Sequence, residues 1–206
     1  MNKPRHRKSP PRSQTQAEPR QTLRIIGGQW RGRKLPFVGA EGLRPTGDRI
    51  RETLFNWLMP DLPGARCLDV FSGSGALGLE ALSRGAEAAT LLELNTQAAT
   101  QIEQNLRLLQ SDRGRVVRTD SLSWLQHKND GSPYDVVFLD PPFQQDLWQA
   151  AIEALELNGW LSPNAAIYIE TPRNEPLCTP THWHLHREKH AGSVNFRLFY
   201  RDSEAP

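Results

Sequence analysis

Asp69-Val-Phe-Ser-Gly-Ser-Gly-Ala-Leu-Gly78 is the stretch around which this 206-residue chain is organised. It follows the apolar pair Cys67 and Leu68 and opens an amphipathic run that reaches Arg84 and Gly85. The pattern is strand, glycine-rich turn, helix. Gly73, Gly75 and Gly78 fit G-x-G-x-x-G, a turn that lets backbone approach a nucleotide-like ligand closely. Many strand–helix turns contain two glycines, so the motif alone decides little. Asp69 sharpens it. A carboxylate at the carboxyl end of that strand stands beside the ligand crevice, where it repels a pyrophosphate and suits a cation. The competing reading is a solvated turn carboxylate.

Downstream, strand-like and helix-like runs alternate. Arg66–Phe71 is followed by a helix over Ala76–Arg84. A second strand over Ala88–Leu94 is followed by a helix capped at Thr96, with Ala99, Ile102, Leu106 and Leu109 on one stripe. Further strands are predicted at Arg115–Arg118, Tyr134–Leu139 and Ala165–Thr171, with short helices over Ser121–His127 and Leu147–Leu155. His182–Glu188 and Ser193–Arg201 leave no room for a helix between them and are expected to form an antiparallel hairpin around His190–Gly192. The alternation implies an α/β fold with a doubly wound, mostly parallel, seven-stranded sheet.

Asp69, Glu93, Asp120 and Asp140 each close a predicted strand. Open α/β sheets bind ligands outside those ends. Glu93 lies twenty residues after Gly73, where an acid can accept from both ribose hydroxyls. Asp120 stands where an adenine amino group could be held, with backbone groups of Ser121 and Leu122 beside it; the alternative is a cap on the short helix it precedes. Asp69 falls nearest a methionine-like end. A sulfonium, an ammonium and no phosphate describe S-adenosylmethionine, which fits these acids better than a dinucleotide does.

Asp140-Pro-Pro-Phe143 is the second specific signal. Pro141 and Pro142 stiffen the chain, so the Asp140 carboxylate and Pro141 carbonyl become fixed acceptors. Phe143 offers a stacking face for a base turned out of its helix or loop. Acceptors on both hydrogens of an exocyclic amine favour the tetrahedral nitrogen needed for in-line attack on a sulfonium methyl. The bland alternative is a Pro-Pro loop ending a strand.

Charge is divided unevenly. Residues 1–34 hold ten Lys/Arg and one acid, a count of +9; residues 35–206 hold fifteen Lys/Arg and twenty-two acids, a count of −7. A basic arm on an acidic body suggests a polyanion partner, nucleic acid first. Residues 1–21 have almost nothing apolar and are expected to be a disordered basic tail. Residues 22–64 read as a β-hairpin and a helix. Arg31, Arg33 and Lys34 beside Trp30 combine cations with a stacking ring, as RNA contact requires; the competing reading makes Trp30 a lid on the core. In the helix, with Thr46 as cap, Ile50, Leu54, Trp57 and Leu58 form the apolar stripe, and Arg44, Arg49 and Arg51 lie off it.

These residues resemble a known family. Asp69–Gly78 is similar to motif I of class I S-adenosylmethionine-dependent methyltransferases, and Asp140–Phe143 to the D/N-P-P-F/Y motif of amino-group methyltransferases. Arg24-Ile-Ile-Gly-Gly28, Arg31-Gly-Arg-Lys-Leu35, Arg44-Pro-Thr, Asp48-Arg49 and Leu54-Phe-Asn-Trp-Leu58 resemble the RsmD family, bacterial 16S rRNA guanine(966)-N(2) methyltransferases. The resemblance runs from about Leu23 to Arg201, with residues 65–206 as the methyltransferase domain. It implies a class I, Rossmann-like fold and S-adenosylmethionine lined by Asp69, Phe71, Ser72, Gly73, Gly75, Glu93, Leu94, Asp120, Ser121, Leu122 and Asp140. It further implies a target base held by Asp140, Pro141, Pro142 and Phe143, and 16S rRNA of the small subunit or its precursor held by Arg31, Arg33, Lys34, Arg44 and Arg49.

Other classes fit less well. An adenine-amino DNA methyltransferase would need a recognition insertion after Phe143, and none is large enough. A non-catalytic assembly factor would tolerate loss of the motif-I acid or of D-P-P-F, and both are intact. A nicotinamide oxidoreductase conflicts with Asp69. Cys67 and Cys178 form no C-x-x-C, and no disulfide framework or zinc site is expected. His182, His184 and His186 alternate along a strand, but Trp183 and Leu185 explain this as wet face against buried face, and no metal is expected. No run approaches a membrane span and no signal core is visible. A cytoplasmic monomer is the expectation.

Overall fold

The computed structural model describes residues 21–38 and 47–202. The predicted tail, Arg44 and Thr46 therefore lie outside the described residues. Strands β1 (Gln21–Arg24) and β2 (Lys34–Phe37) pair antiparallel, with Leu23 opposite Leu35. Helix α1 covers Asp48–Trp57. Then come β3 (Arg66–Asp69), α2 (Ala76–Ser83), β4 (Ala88–Glu93), α3 (Thr96–Leu108), β5 (Gly114–Arg118) and α4 (Ser121–Leu125). The chain continues through β6 (Tyr134–Leu139), α5 (Trp148–Leu157), β7 (Leu161–Pro172), β8 (Trp183–Ala191) and β9 (Val194–Arg201).

Seven strands form one sheet in the order β5-β4-β3-β6-β7-β9-β8. β3 to β7 are parallel; β9 and β8 close the edge antiparallel. This is the mostly parallel sheet expected, with its C-terminal hairpin, and the N-terminal hairpin and helix are present. The strand order reverses between β3 and β6. Chain leaving β3 moves towards β5; chain leaving β6 moves towards β9.

The central strands are buried on both faces. In β6, Val136 and Phe138 enter one core while Val137 and Leu139 enter the other. A near-continuous apolar run is what a covered parallel strand requires. The first core lies under the N-terminal hairpin, α1, α2 and α3. The second lies under α4 and α5.

Helix α1 departs from the predicted stripe. Arg51, Leu54, Phe55 and Leu58 are its buried positions, while Ile50 and Trp57 are only partly covered. Arg51 is 1% exposed because its guanidinium meets Asp48 at 2.6 Å, the Arg24 carbonyl at 3.0 Å and Glu80 at 3.6 Å. Glu80, on α2, is fully buried. It accepts from the backbone N–H groups of Ile26 (2.8 Å) and Gly27 (2.7 Å) and from Arg84 Nε (2.7 Å). One carboxylate thus joins the hairpin and α1 to the helix that follows the glycine turn.

The cap of α3 is Asn95, whose side chain accepts from Gln97 and Ala98, rather than Thr96. The C-terminal hairpin turns at Gly192 and Ser193, later than predicted, because β8 runs on to Ala191. Leu185 is half exposed whereas Trp183 is buried. The His182 ring has a carboxylate partner that the sequence concealed, Glu156 at 3.0 Å.

Replacing Glu80 with Ala leaves Arg51 and two backbone N–H groups in the core without this acceptor. Breaking a buried ion pair from one side costs about 3–5 kcal/mol, and the urea midpoint is expected to fall accordingly. A midpoint shift worth under about 1 kcal/mol would show that the network contributes little.

Candidate active site

Asp69 is the last residue of β3 and is 2% exposed. Its Oδ2 accepts from the Gly78 N–H at 3.0 Å, so the acid at the strand end reaches across the glycine turn to the first turn of α2. Gly73 and Gly75 have φ of 52° and 78°, left-handed values that side chains resist. Gly78 meets a different limit. A Cβ there would fall 2.6 Å from Leu91 Cδ2, so a larger residue would have to displace the buried Leu91 side chain of β4.

Burial pushes the Asp69 carboxyl up to about 7. The Gly78 N–H opposes this, while Asp140 and Glu93 add to it through their negative charge. That repulsion places all three acids in one neighbourhood. Glu93, at the end of β4, is held by two backbone donors, Gly73 N–H on Oε2 and Asn95 N–H on Oε1, each at 2.7 Å. Burial raises its pKa as well. Leu94, next in sequence, is 69% exposed.

The acid after β5 is differently placed. Asp120 caps α4, with Oδ1 accepting from Ser123 N–H at 2.8 Å. Ser121 is buried and its hydroxyl donates to the Val70 carbonyl, which ties α4 to the end of β3. The capping reading of Asp120 is therefore met in the structure, with one of its oxygens used.

Asp140 follows β6, the strand beside β3. Pro141 is buried while Pro142 and Phe143 are exposed, and Gln145 N–H donates to the Pro142 carbonyl at 3.1 Å. The Phe143 ring lies 6.0 Å from the Trp148 indole, tilted by 41°. Trp148 is buried, and its Nε1 donates to the Glu170 carbonyl at 2.6 Å. An exposed ring thus rests on a fixed one. Sequence reasoning missed Trp148, and it missed Glu170, a further acid near a strand end. Glu170 is 3% exposed and accepts from the Tyr168 hydroxyl at 2.6 Å. Tyr168 is raised by burial first and then by Glu170 and Asp140, so both acids face it. The acid-at-strand-end pattern of the other strands extends to Glu170 and would have found it.

A family model described as Conserved hypothetical protein 95 matches residues 23–200. Ribosomal RNA small subunit methyltransferase D of Escherichia coli strain K12 is 52% identical over 183 residues, covering 88% of this chain and 91% of that protein. The protein of the same name from Haemophilus influenzae is 52% identical over 179 residues, covering 86% and 93%. The solved structure of yhhF from Escherichia coli matches with a TM-score of 0.82 at 51% identity, covering 89% of this chain and 100% of that one. The chain belongs to the ribosomal RNA small subunit methyltransferase D family.

As a member of that family it is a methyltransferase, and the acids just described lie where such a sheet opens. The cations singled out in the sequence are spread more widely. Trp30 is 9% exposed, its N–H donates to Ser83 Oγ at 3.0 Å, and Arg113 covers its ring. It is a lid on the core, with no open face for stacking. Its neighbour Arg31 lies at the same end of the hairpin, against the last turn of α2. That turn is eight residues, about 12 Å of helix, from the glycine turn. Arg33 donates to the Leu108 carbonyl at 3.2 Å, at the C-terminus of α3. Lys34 is exposed on β2. Arg49 is exposed on the first turn of α1. Among the described residues, no group of three His, Cys, Asp or Glu side chains could hold a metal ion.

The raised Asp69 carboxyl makes ligand-free stability depend on pH. Its folded value, about 7, lies above the ordinary carboxylate range, so its contribution is complete below about pH 4 and is lost as pH rises through 7. Asp69→Asn, which keeps an acceptor for Gly78, is expected to be the more stable form at pH 8. Its advantage should grow by roughly 1.4 kcal/mol per pH unit between about 4 and 7. Urea titrations at pH 5 and pH 8 check this; the same gap at both values contradicts it.

Proposed function

We propose that this methyltransferase carries the methyl group of S-adenosylmethionine to the exocyclic N(2) amine of a guanine in small-subunit ribosomal RNA. By family resemblance the nucleotide is guanine 966 of 16S rRNA. The observation that carries the reading is the adjacency of Asp69 and Asp140 where the strand order reverses between β3 and β6. Ligand crevices of open α/β sheets lie at that point.

The residues present suit the cofactor. The Gly73–Gly75 turn brings backbone to its surface, joined by Phe71 and Ser72. Glu93, at the end of β4, stands where an acid can accept from ribose hydroxyls. Leu94 and Leu122 flank the place for adenine, with Asp120 and the backbone of Ser121 within its polar edge. Asp69 supplies negative charge for an ammonium and a sulfonium. Bound S-adenosylmethionine supplies one thing to the chemistry, a methyl group made electrophilic by its attachment to a sulfonium.

The chain's own groups do the rest. Guanine presents two adjacent donors, the ring N–H and the amine, and an ionised carboxylate is acceptor-only. Asp140 accepts from this edge and the Pro141 carbonyl takes the second amine hydrogen, so the nitrogen lone pair is released from the ring. Pro142 holds the turn, and Phe143, braced by Trp148, stacks on the base. One N–C bond forms, one S–C bond breaks and one amine proton leaves to solvent. Positioning and electrostatics suffice, and no covalent enzyme intermediate is required.

The partner in this reading is 16S rRNA in the small subunit or an assembly intermediate, met by a monomer in the cytoplasm. Among the described residues no helix is long and apolar enough to cross a membrane.

Asp140→Ala is expected to lower methyl transfer to unmodified small subunits by about 10²–10³-fold, the usual cost of one polar group in such a site. Cofactor affinity should stay within a few-fold. Nucleoside analysis of the parent reaction should show N(2)-methylguanosine. Methyladenosine as product, or an active Asp140→Ala variant, overturns the assignment.

A further inference from the structure

A second cleft, of about 390 Å³, lies outside the crevice described above. Arg49, Ile50 and Thr53 of α1 form one wall; Lys189, His190 and Phe196 of the C-terminal hairpin form the other. The hairpin's turn stands at the same end of the sheet as the site. β7 runs parallel to β6, its last residue Pro172 pairs with Val194, and Val194 pairs with Ala191.

Register fixes how far the cleft is from the target-base loop. Leu139 pairs with Ile169, so Asp140 stands level with Glu170, the next residue of β7. Glu170 pairs with Phe196, and Phe196 pairs with Lys189. Asp140 and Lys189 thus end one transverse row across β6, β7, β9 and β8. Three strand spacings separate them, about 14 Å.

Lys189 and Arg49 line the cleft, and Arg187 lies just outside its lining. Lys189 and Arg187 sit opposite Phe196 and Leu198, and directly paired residues share a sheet face. Phe196 and Leu198 belong to the core beneath α1, and Phe196 stacks on Trp57 at 5.4 Å. Both cations therefore stand on the side that α1 occupies, with Arg49 across from Lys189. The nearby acids have partners of their own; Asp61, the acid on the Arg187 side, accepts from the Tyr200 hydroxyl at 2.8 Å. Glu188 accepts from Arg197 Nε at 2.7 Å and Asn195 at 2.9 Å. Asp48 pairs with Arg24 and Arg51. Glu52 lines the other flank of α1, beside Arg24 and Arg84.

We infer that this cleft and the hairpin face next to it bind backbone phosphates of the RNA strand flanking the target base, with Lys189 and Arg49 in the cleft and Arg187 two residues along the same face. The inference rests on the reading of RNA as substrate. It gives that strand an anchor about 14 Å from the acceptor that holds the base. A base turned out of its helix needs such an anchor, because phosphate contacts set register while base contacts set identity.

The test uses the full chain carrying Arg187→Ala and Lys189→Ala together, with methyl transfer to unmodified small subunits measured across a range of salt. The KM for subunits is expected to rise about tenfold, with kcat and cofactor affinity within twofold. Two lost phosphate contacts should make the log–log salt dependence shallower by about 1.4, at about 0.7 per phosphate of a single strand. Lys189→Arg, keeping the charge, should behave as the parent. Lys128→Ala removes an exposed lysine outside the cleft and controls for net charge. An unchanged KM and salt slope in the double variant, while the parent methylates RNA, overturns this inference alone; so does an equal effect from Lys128→Ala. A parent that transfers no methyl to RNA overturns the substrate reading and the cleft's role together.

Discussion

The buried carboxylate of Glu80 is the constraint on which the arrangement around the site depends. A carboxylate taken fully out of water costs several kcal/mol unless its oxygens are satisfied. Here the partners are two consecutive backbone N–H groups, Ile26 and Gly27, and the Arg84 guanidinium, all within 2.8 Å. Arg51, itself buried, adds a second cation at 3.6 Å. Consecutive amides aimed at one carboxylate allow the hairpin a single pose on α2. The Ser83 hydroxyl fixes that pose again, donating to the Gly27 carbonyl at 2.6 Å and accepting from Trp30 N–H. Because α2 begins at the glycine turn, the helix that shapes the cofactor crevice also sets the place of β1, β2 and α1. Arg51 carries the restraint into α1, and α1 carries Arg49 to the second cleft.

How much of this was legible in the sequence depended on the range of the forces involved. The glycine turn and the acids of β3, β4 and β6 were readable because each is a local pattern tied to a rule about sheets. An acid beside a strand's carboxyl end faces the crevice whatever the rest of the chain does. The D-P-P-F turn was readable because proline restricts its own neighbourhood. Arg51 was unreadable for the opposite reason. Its partner Glu80 lies twenty-nine positions away, and a buried ion pair split across two helices looks in sequence like two solvated charges. The same limit applied to Glu156 and His182, which meet only once α5 and the end strands have docked. Trp30 with Arg31, Arg33 and Lys34 showed the converse limit. Cations adjacent in sequence suggested one surface, yet Arg33 turns to a helix end and Trp30 turns inward. The α3 cap missed by a single residue, since Asn95 and Thr96 are both competent caps and only backbone conformation separates them.

The crowding of acids at one end of the sheet has a consequence for the proposed reaction. Burial raises the Asp69 carboxyl to about 7, and the negative charges of Asp140 and Glu93 add to the shift. A lone pocket of this kind holds its protons more tightly than a carboxylate in water does. Bringing a sulfonium and an ammonium beside Asp69 reverses the balance, since an opposite charge nearby favours the ionised form. In the proposed complex Asp69 would then give up its proton, and the ligand's positive charge would offset the negative charge of Asp69. An acceptor for two guanine donors has to be ionised. In the proposed reaction the cofactor would therefore do more than bring the methyl group: its positive charge would favour the ionised form of Asp69.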